Sequence, residues 1–360
     1  MSLSGRPGET VATADLPVVV DDRHRGHDPS YELNAGRRVQ PVHERPERLD
    51  VILAGLRAVG IEEHAPDTHG DEVLEGIHDP AMVAYLRQAH PAWRAAGGPE
   101  VMIADTFRSP RWAAGGRRPS SPLGALGWFC TDTATPLVAG SYLAARVAVD
   151  VACTAVDLVL DGAGAAYALT RPPGHHAGPD YFGGFCLLNH AAVAARRLRA
   201  HGRVVILDVD VHHGNGTQDV FWRDPQVLYL SVHADPDQQY PYFSGYPDEL
   251  GEGAGHGTTR NLPLPPGTGD DGMLTAVEVA GELAEAFDPV AVVVSLGYDA
   301  AAVDPLGQLS VTTQGYRRLG ALLGALRRPT VLLQEGGYAL DHLGALAAGT
   351  LSAFVDARAA

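Results

Sequence analysis

Short apolar runs alternate along the chain with segments whose apolar residues recur at helical spacing. The runs are rich in β-branched residues and end at Gly, Pro or charged positions, which is typical of buried strands. They lie at residues 16–20, 166–170, 204–207, 227–232, 291–296 and 331–334. Helices are predicted from about residue 46, at 80–96, at 138–160, from about residue 188, at 270–287 and at 312–326. This alternation predicts an α/β fold in which helices flank a mainly parallel central sheet.

The stretch 204–217, VVILDVDVHHGNGT, carries polar residues at the end of one predicted strand. Asp208, Asp210 and His212 alternate there, so their side chains point to one side, toward the edge where parallel sheets hold their ligands. One interpretation is a hydrogen-bonded network that closes the strand, because buried polar groups need partners. The other is a metal site. One carboxylate and one imidazole, from Asp210 and His212, suit Zn²⁺ or another divalent transition ion better than Mg²⁺.

Two further predicted strands deliver polar side chains to the same edge, namely Asp299 and Tyr338. Asp299 joins Asp210 and His212 as a third candidate ligand, and three protein ligands with an open position are typical of a catalytic metal. A metal held in this way lowers the pKa of a bound water and polarises a carbonyl, which makes hydrolysis the natural reaction. The Tyr338 hydroxyl, after a flexible Gly-Gly, suits the stabilisation of a developing oxyanion.

An adjacent histidine pair, His175 and His176, lies on the Pro- and Gly-rich loop that follows the strand predicted at 166–170. Buried core histidines are the alternative interpretation, but two neighbours on such a loop are better explained by chemistry. We expect them to act as base and acid on the attacking water and on the leaving amine.

The segment 21–48 is polar and rich in Pro, Gly and His, and it is predicted as a long loop of the kind that tends to be functional. Its Glu32 is either a solvated charge or a substrate contact. A second polar loop, after the strand predicted at 227–232, carries Tyr240, Tyr242 and Phe243. These aromatic rings either pin that loop down or wall a narrow pocket.

The insertion at about 97–140 is rich in Gly, Pro and Ser, yet it carries several aromatic residues that look exposed. A linker is one interpretation, but linkers seldom hold so many aromatic side chains. We therefore expect the insertion to pack on a second subunit in a homodimer and to help wall the site. The aromatic residues concerned are Phe107, Trp112, Trp128 and Phe129.

The 360 residues suffice for one large domain, and 45% of them are hydrophobic. A formal charge of -16 argues against a nucleic-acid partner and is compatible with cationic small molecules. Cys130, Cys153 and Cys186 have no CxxC spacing, so a cytoplasmic protein is expected. Residues 1–15 lack the pattern of a signal peptide and are expected to form a disordered tail, and no apolar run reaches the ~20 residues of a membrane span.

Four motifs, RPPGHHAG, ILDVDVHHGNGTQD, SLGYDA and EGGY, resemble the histone deacetylase superfamily and cover the chain from about residue 171 to its end. The stretches YFGGFC and HADPDQQYPYFSGYPDELGEGAG, together with the aromatic insertion, are most similar to bacterial acetylpolyamine amidohydrolases and related deacetylase-like amidohydrolases. The resemblance implies a single arginase/deacetylase-like α/β domain at 16–360, which contains the insertion. It also implies one Zn²⁺ per chain, a structural K⁺, and removal of acetyl groups from small acetylated amines through a narrow tunnel.

On the matching positions, the resemblance makes His175 and His176 the general acid/base pair, Asp208 the partner of His175, and Tyr338 the residue that polarises the carbonyl. Many relatives have an aspartate as the partner of His176, whereas this chain has Asn215, an amide that should raise the pKa of His176 less. The implied zinc ligands are Asp210, His212 and Asp299. The implied K⁺ ligands are Asp208 and Ser231 with the backbone carbonyls of Asp210, His212 and Val232. The implied substrate contacts are Glu32, Gly184, Phe185, Tyr240 and Leu306.

Two departures concern the insertion. Relatives that act on acetylpolyamines carry acidic residues there which meet the distant ammonium groups of the substrate, and an ungapped alignment puts Leu123 and Ala134 at those positions. Glu32 matches an acidic position in the N-terminal loop. The alternatives to a small-amine deacetylase are an acetyl-lysine protein deacetylase, a non-catalytic acylamine-binding module, and a ureohydrolase with two Mn²⁺.

Overall fold

The computed structural model describes residues 16–34, 38–109, 111 and 115–360. A central sheet of eight strands crosses this part of the chain, and every pairing in it is parallel. Its strands, in spatial order, are β4 (Glu63–His64), β1 (Val18–Val19), β5 (Ala165–Ala168), β10 (Thr330–Gln334), β9 (Ala291–Leu296), β6 (Val204–Asp208), β7 (Val227–Ala234) and β8 (Thr259–Leu264). A separate antiparallel hairpin pairs β2 (Glu32–Asn34) with β3 (Arg38–Gln40).

Helices cover both faces of the sheet, as a parallel sheet requires. One buried apolar cluster includes side chains of α2 (Pro80–Ala95), α3 (Pro122–Phe129), α4 (Ser141–Leu160) and α5 (His190–Leu198). The cluster on the other face includes side chains of α1 (Glu47–Ala58), α7 (Asp270–Phe287), α8 (Thr313–Ala325) and α9 (Leu340–Ala359). The short α6 (Asn215–Phe221) follows β6. The structure thus confirms the predicted α/β class with a mainly parallel sheet.

The register of the sheet brings several strand ends together at one edge. Asp208, the last residue of β6, lies opposite Ser231 of β7 on one side and Ser295 of β9 on the other. Strand β10 runs beside β9, and β5 runs beside β10. The loops after all five strands therefore open on the same edge, which is where parallel sheets bind ligands.

Several elements were not predicted from the sequence. The segment 21–48, predicted as a loop, contains a 3₁₀ helix at Asp22–Gly26 and the β2–β3 hairpin. The polar loop after β7 ends in β8, an edge strand parallel to β7. The chain also ends in a 20-residue helix, α9. Residues 1–15, predicted to be a disordered tail, lie outside the described residues. Within the described part, no helix has the length and apolarity to cross a bilayer.

The expectation that the insertion exposes its aromatic side chains is wrong for the residues that the structure describes. Phe129 is only 2% exposed. Phe107 and Trp128 are half-buried and pack against the same apolar cluster. Trp112 lies outside the described residues. The aromatic residues of the insertion thus mainly serve this chain's own core, and the homodimer stays a prediction without that support.

Candidate active site

A cavity of about 450 Å³ opens at the edge where the strand ends meet. Its lining combines the loop after β5, the loop after β6, the polar loop after β7 and the loops after β9 and β10. Residues of the β2–β3 hairpin and of the insertion complete it. The lining residues used below are Glu32, Asp132, Ala134, His175, His176, Gly184, Phe185, His212, Gln239, Tyr240, Tyr242, Leu306, Gln308 and Tyr338.

At the floor of this cavity the lining residue His212 meets the buried Asp210 and Asp299, and the ligating atoms of the three lie within 4.8 Å of one another. The Nδ1 atom of His212 lies 3.1 Å from an oxygen of Asp210 and 3.1 Å from an oxygen of Asp299. Both carboxylates are almost completely buried. The backbone N–H of Gly336 donates to Asp210 at 2.8 Å, and the N–H of Val211 donates to Asp299 at 3.0 Å, so neither carboxylate is free to turn away.

The charge balance of this cluster fits a cation. Burial opposes a charge on His212, but its hydrogen bonds with Asp210 and Asp299 outweigh burial and raise its pKa to about 10. Burial and the neighbouring Asp210 raise the pKa of the Asp299 carboxyl. Two buried carboxylates therefore compete for positive charge at the Nδ1 atom of one imidazole. A divalent ion satisfies that demand, and two carboxylates with one imidazole are ligands that zinc accepts.

The side chain of Gln239, also in the cavity lining, contacts the Nε2 edge of the His212 ring. Its Nε2 atom lies 2.9 Å from Nε2 of His212 and donates to the Leu306 carbonyl at 3.0 Å. Its Oε1 atom is buried and has no hydrogen-bond partner within the described residues. Gln239 was not predicted as a site residue from the sequence, although it directly precedes the predicted wall residue Tyr240.

The two histidines of the loop after β5 differ in their partners. The Nδ1 atom of His175 lies 3.1 Å from Asp208, and the Nδ1 atom of His176 lies 2.7 Å from the side-chain oxygen of Asn215. Because an amide oxygen only accepts, the Nδ1 atom of His176 carries a proton and donates it, which leaves the Nε2 lone pair of His176 free.

These partners drive the pKa values of the two rings apart. Burial disfavours a charge on His175, but the Asp208 and Asp210 carboxylates outweigh it and raise its pKa to about 10. Burial lowers the pKa of His176 well below its usual value, and the charge of His175 lowers it further. These pKa shifts favour a charged imidazole at His175 beside a neutral one at His176, with ring centroids 4.1 Å apart.

Tyr338 lines the same cavity from the loop after β10, with Phe185 at its ring edge. Burial raises the pKa of its phenol well above the usual value, so the hydroxyl keeps its proton and can donate it. The backbone N–H of Tyr338 donates to Asp304 at 2.6 Å. The guanidinium of Arg48 lies 4.7 Å from the ring centroid. Neither Asp304 nor Arg48 was singled out from the sequence, because each supports the site from outside the motifs.

The remaining predicted wall residues, Gly184, Phe185, Tyr240 and Leu306, also lie in the cavity lining. A side chain at Gly184 would meet the His176 ring at 2.3 Å, and the backbone φ there is +55°, so glycine is required at this point. Tyr240 packs edge-on against His176, with ring centroids 4.9 Å apart. The aromatic ring of Tyr240 therefore walls the pocket.

The mouth of the cavity holds two carboxylates that already have partners. Glu32, predicted as a substrate contact, is 2% exposed and accepts hydrogen bonds from Gln40 and His43, each at 2.7 Å. Asp132 was not predicted. One of its oxygens accepts from the Gly184 N–H and, at 2.9 Å, from the Tyr240 hydroxyl.

Asp132 belongs to the insertion, two residues before Ala134. Ala134 lines the cavity, as the alignment predicted. Leu123 does not reach it within the described residues, because its side chain packs from α3 against the apolar core. Of the two positions, only Ala134 belongs to the cavity lining among the described residues.

The predicted K⁺ ligands lie behind the floor. Asp208 and Ser231 are fully buried neighbours in β6 and β7. Asp208 accepts from the Asp210 N–H at 3.2 Å and from the Tyr229 hydroxyl at 3.1 Å. The Ser231 hydroxyl lies 2.8 Å from His233 Nδ1, and Val232 is buried beside it. The structure therefore brings the side chains of Asp208 and Ser231 together.

Comparison with known proteins places this geometry in a family. Residues 42–354 match the family model described as the histone deacetylase domain. Acetylpolyamine amidohydrolase 1 of Pseudomonas aeruginosa is 41% identical over 342 residues, which cover 94% of this chain and 99% of that protein. Histone deacetylase 15 of Arabidopsis thaliana is 32% identical over 96% of this chain and 57% of its own length.

The fold gives the same result. The crystal structure of acetylpolyamine aminohydrolase from Burkholderia pseudomallei superposes with a TM-score of 0.89 at 37% identity, over 95% of this chain and 99% of that one. The chain belongs to the histone deacetylase family of enzymes.

Proposed function

We propose that the protein is a zinc-dependent amidohydrolase that removes the acetyl group from a small acetylated primary amine. One observation carries the proposal: the Asp210, His212 and Asp299 cluster, the histidine pair and the Tyr338 hydroxyl all converge on one cavity. Relatives named acetylpolyamine amidohydrolases, which align over nearly their whole length, support a small amine as the substrate. A K⁺ ion beside Asp208 and Ser231 is part of the proposal.

Asp210, His212 and Asp299 would hold the zinc ion, which when bound supplies a Lewis acid for the amide carbonyl and acidifies water. The neutral His176 accepts a proton from the attacking water at its free Nε2 atom. The charged His175, kept protonated by Asp208, donates a proton to the leaving amine. The Tyr338 hydroxyl donates a hydrogen bond to the oxyanion as the carbonyl carbon becomes tetrahedral.

The walls of the cavity select a slender substrate. Phe185 and Tyr240 both line the cavity, and the absence of a side chain at Gly184 leaves room beside His176. An acetylated primary amine with an alkyl stem fits between aromatic rings without a polar partner. Burying an unpaired ammonium near them would cost several kcal/mol. The carboxylates at the mouth, Glu32 and Asp132, already accept hydrogen bonds from donors of the protein. We therefore expect short or apolar acetylated amines to be preferred over long acetylated polyamines.

The test is a substrate panel with the zinc-loaded protein. Acetate release would be measured from acetylated polyamines, acetyl-lysine peptides and small acetylated amines, side by side. Fastest turnover of acetyl-lysine peptides would instead identify a protein deacetylase. Tight binding without acetate release would identify a binding module, and two manganese ions per chain in place of one transition ion would identify a ureohydrolase.

A further inference from the structure

Glu335 is a buried carboxylate that the proposed chemistry does not use. It is 0% exposed, and among the described residues it is neither a lining residue of the cavity nor a member of the Asp210 cluster. Burying a charge away from water is costly unless hydrogen bonds compensate it. Its partners therefore indicate what it does.

One oxygen of Glu335 accepts two backbone hydrogen bonds from the loop that carries the histidine pair. The N–H of Gly174 donates to it at 2.7 Å and the N–H of His175 at 3.2 Å. Its other oxygen accepts from the Ser295 hydroxyl at 3.3 Å. On the far side of the loop, the His175 carbonyl accepts from the Thr217 N–H at 3.1 Å. The backbone of His175 is thus held on both sides.

Loss of this carboxylate would disturb the loop, because its surroundings are close-packed. A side chain added at Gly174 would meet the His190 ring at 2.8 Å, and His190 itself is fully buried. Removing the acceptor would leave two buried N–H groups unpaired, which is unfavourable. The loop would have to shift to satisfy them, and the imidazoles of His175 and His176 would move with it.

Glu335 also belongs to the segment that carries Tyr338. Its backbone carbonyl accepts from Arg48 at 2.6 Å, and the next residue, Gly336, donates to the Asp210 carboxylate at 2.8 Å. One short segment, Glu335 to Tyr338, thus contacts the histidine loop, a candidate metal ligand and the cavity.

We propose that Glu335 is a positioning residue that fixes the histidine pair relative to Tyr338 and the metal cluster through the backbone of Gly174 and His175. The proposal rests on the proposed acid/base role of the pair. Glu335 touches no substrate, so its loss should lower kcat and leave KM and metal content nearly unchanged. Burial raises the pKa of Glu335 to about 7, while the Gly174 N–H favours its ionised form.

The experiment compares Glu335→Ala and Glu335→Gln in the zinc-loaded, full-length protein. We expect Glu335→Ala to lower kcat by about 100-fold, the usual effect of a misplacement near 1 Å, with one equivalent of zinc retained. Glu335→Gln keeps an acceptor oxygen of the same reach and should lose only about tenfold, because a neutral acceptor is weaker than a charged one. The control is Asp270→Ala, which removes a carboxylate that accepts from the Thr312 N–H at 2.7 Å and is not a lining residue of the cavity. That control should lower the thermal midpoint but not kcat.

Two results would overturn the proposal. One is a folded, zinc-loaded Glu335→Ala variant with kcat within about twofold of wild type. The other is a fall of kcat and metal content together with a rise of KM, all in step with a loss of thermal stability, as a general packing role would give. A readout independent of turnover is the ring ¹⁵N resonances of His175 and His176, which should shift in Glu335→Ala and stay in place in Asp270→Ala. If the wild type released no acetate, the proposed function would fail, and unchanged resonances would separately refute the positioning role.

Discussion

The floor and the mouth of the cavity are built by different means. The floor comprises Asp210, His212, Asp299, the histidine pair and Tyr338, which all follow strands of one parallel sheet. The mouth comprises Glu32, Asp132, Ala134, Tyr242 and Gln308, which come from the hairpin, the insertion and long loops. The register of the sheet fixes the positions of the floor residues. The positions of the mouth residues depend instead on contacts among the hairpin, the insertion and long loops.

This difference has a functional consequence. Side chains of the floor are buried and held by backbone N–H groups, as Asp210 is held by Gly336. At the mouth, Tyr242 is 48% exposed, although Glu32 is almost completely buried. We therefore expect changes at the floor to act on metal binding and turnover, and changes at the mouth to act on KM and on the choice of amine.

The largest effect is expected at the floor from Asp299→Ala. Removing one of three ligands leaves Asp210 and His212 alone, so we expect the protein to lose stoichiometric zinc and acetate release to fall to background. Metal content after dialysis, measured with activity, checks this. Stoichiometric zinc in the purified variant would show that the ligand set is wrong.

Tyr338→Phe should separate chemistry from metal binding within the floor. The ring keeps its place under Arg48, so zinc content should be normal. Loss of the hydroxyl should lower kcat by roughly two to three orders of magnitude, the usual cost of removing one oxyanion donor. Tyr142→Phe, whose hydroxyl bonds Arg87 at the surface, is the matched control and should be neutral. A near-wild-type rate for Tyr338→Phe would remove this residue from the mechanism.

The side chains of the floor could be predicted from the sequence, whereas those around the insertion could not, for physical reasons. Alternating polar residues after apolar runs located Asp210, His212 and Asp299, because strand periodicity and a shared sheet edge constrain where such side chains point. Glu335 lies in the EGGY motif, but its role could not be predicted, because the loop that it contacts lies 160 residues away in sequence. The aromatic residues of the insertion were expected at the surface because α3, which buries Phe129, carries no strong helical pattern in a Gly- and Pro-rich segment.

Asp132→Ala tests whether the mouth acts on substrate binding. The variant loses the acceptor for the Gly184 N–H and the Tyr240 hydroxyl, which should loosen the wall beside His176. If the loosened wall weakens substrate binding by about 1.4 kcal/mol, KM should rise about tenfold, with kcat changed much less. Steady-state kinetics on the preferred acetylated amine gives both constants. A fall in kcat at constant KM would show that Asp132 acts on turnover, as the floor residues are expected to do, and not on substrate binding.

The smallest effect is expected from a charge restored at the mouth. An extended acetylated polyamine places ammonium groups far from the scissile amide, and Ala134→Glu would offer one of them a carboxylate at the cavity lining. A partly solvated ion pair worth about 1 kcal/mol should raise kcat/KM for acetylspermine by up to roughly tenfold and leave a neutral acetylated alkylamine unchanged. Leu123→Glu is the comparison variant. Because Leu123 packs against the core, a charge there should lower the thermal midpoint without that gain. High wild-type efficiency on acetylspermine, with no gain from Ala134→Glu, would mean that Glu32 or another carboxylate already binds the ammonium groups of the polyamine.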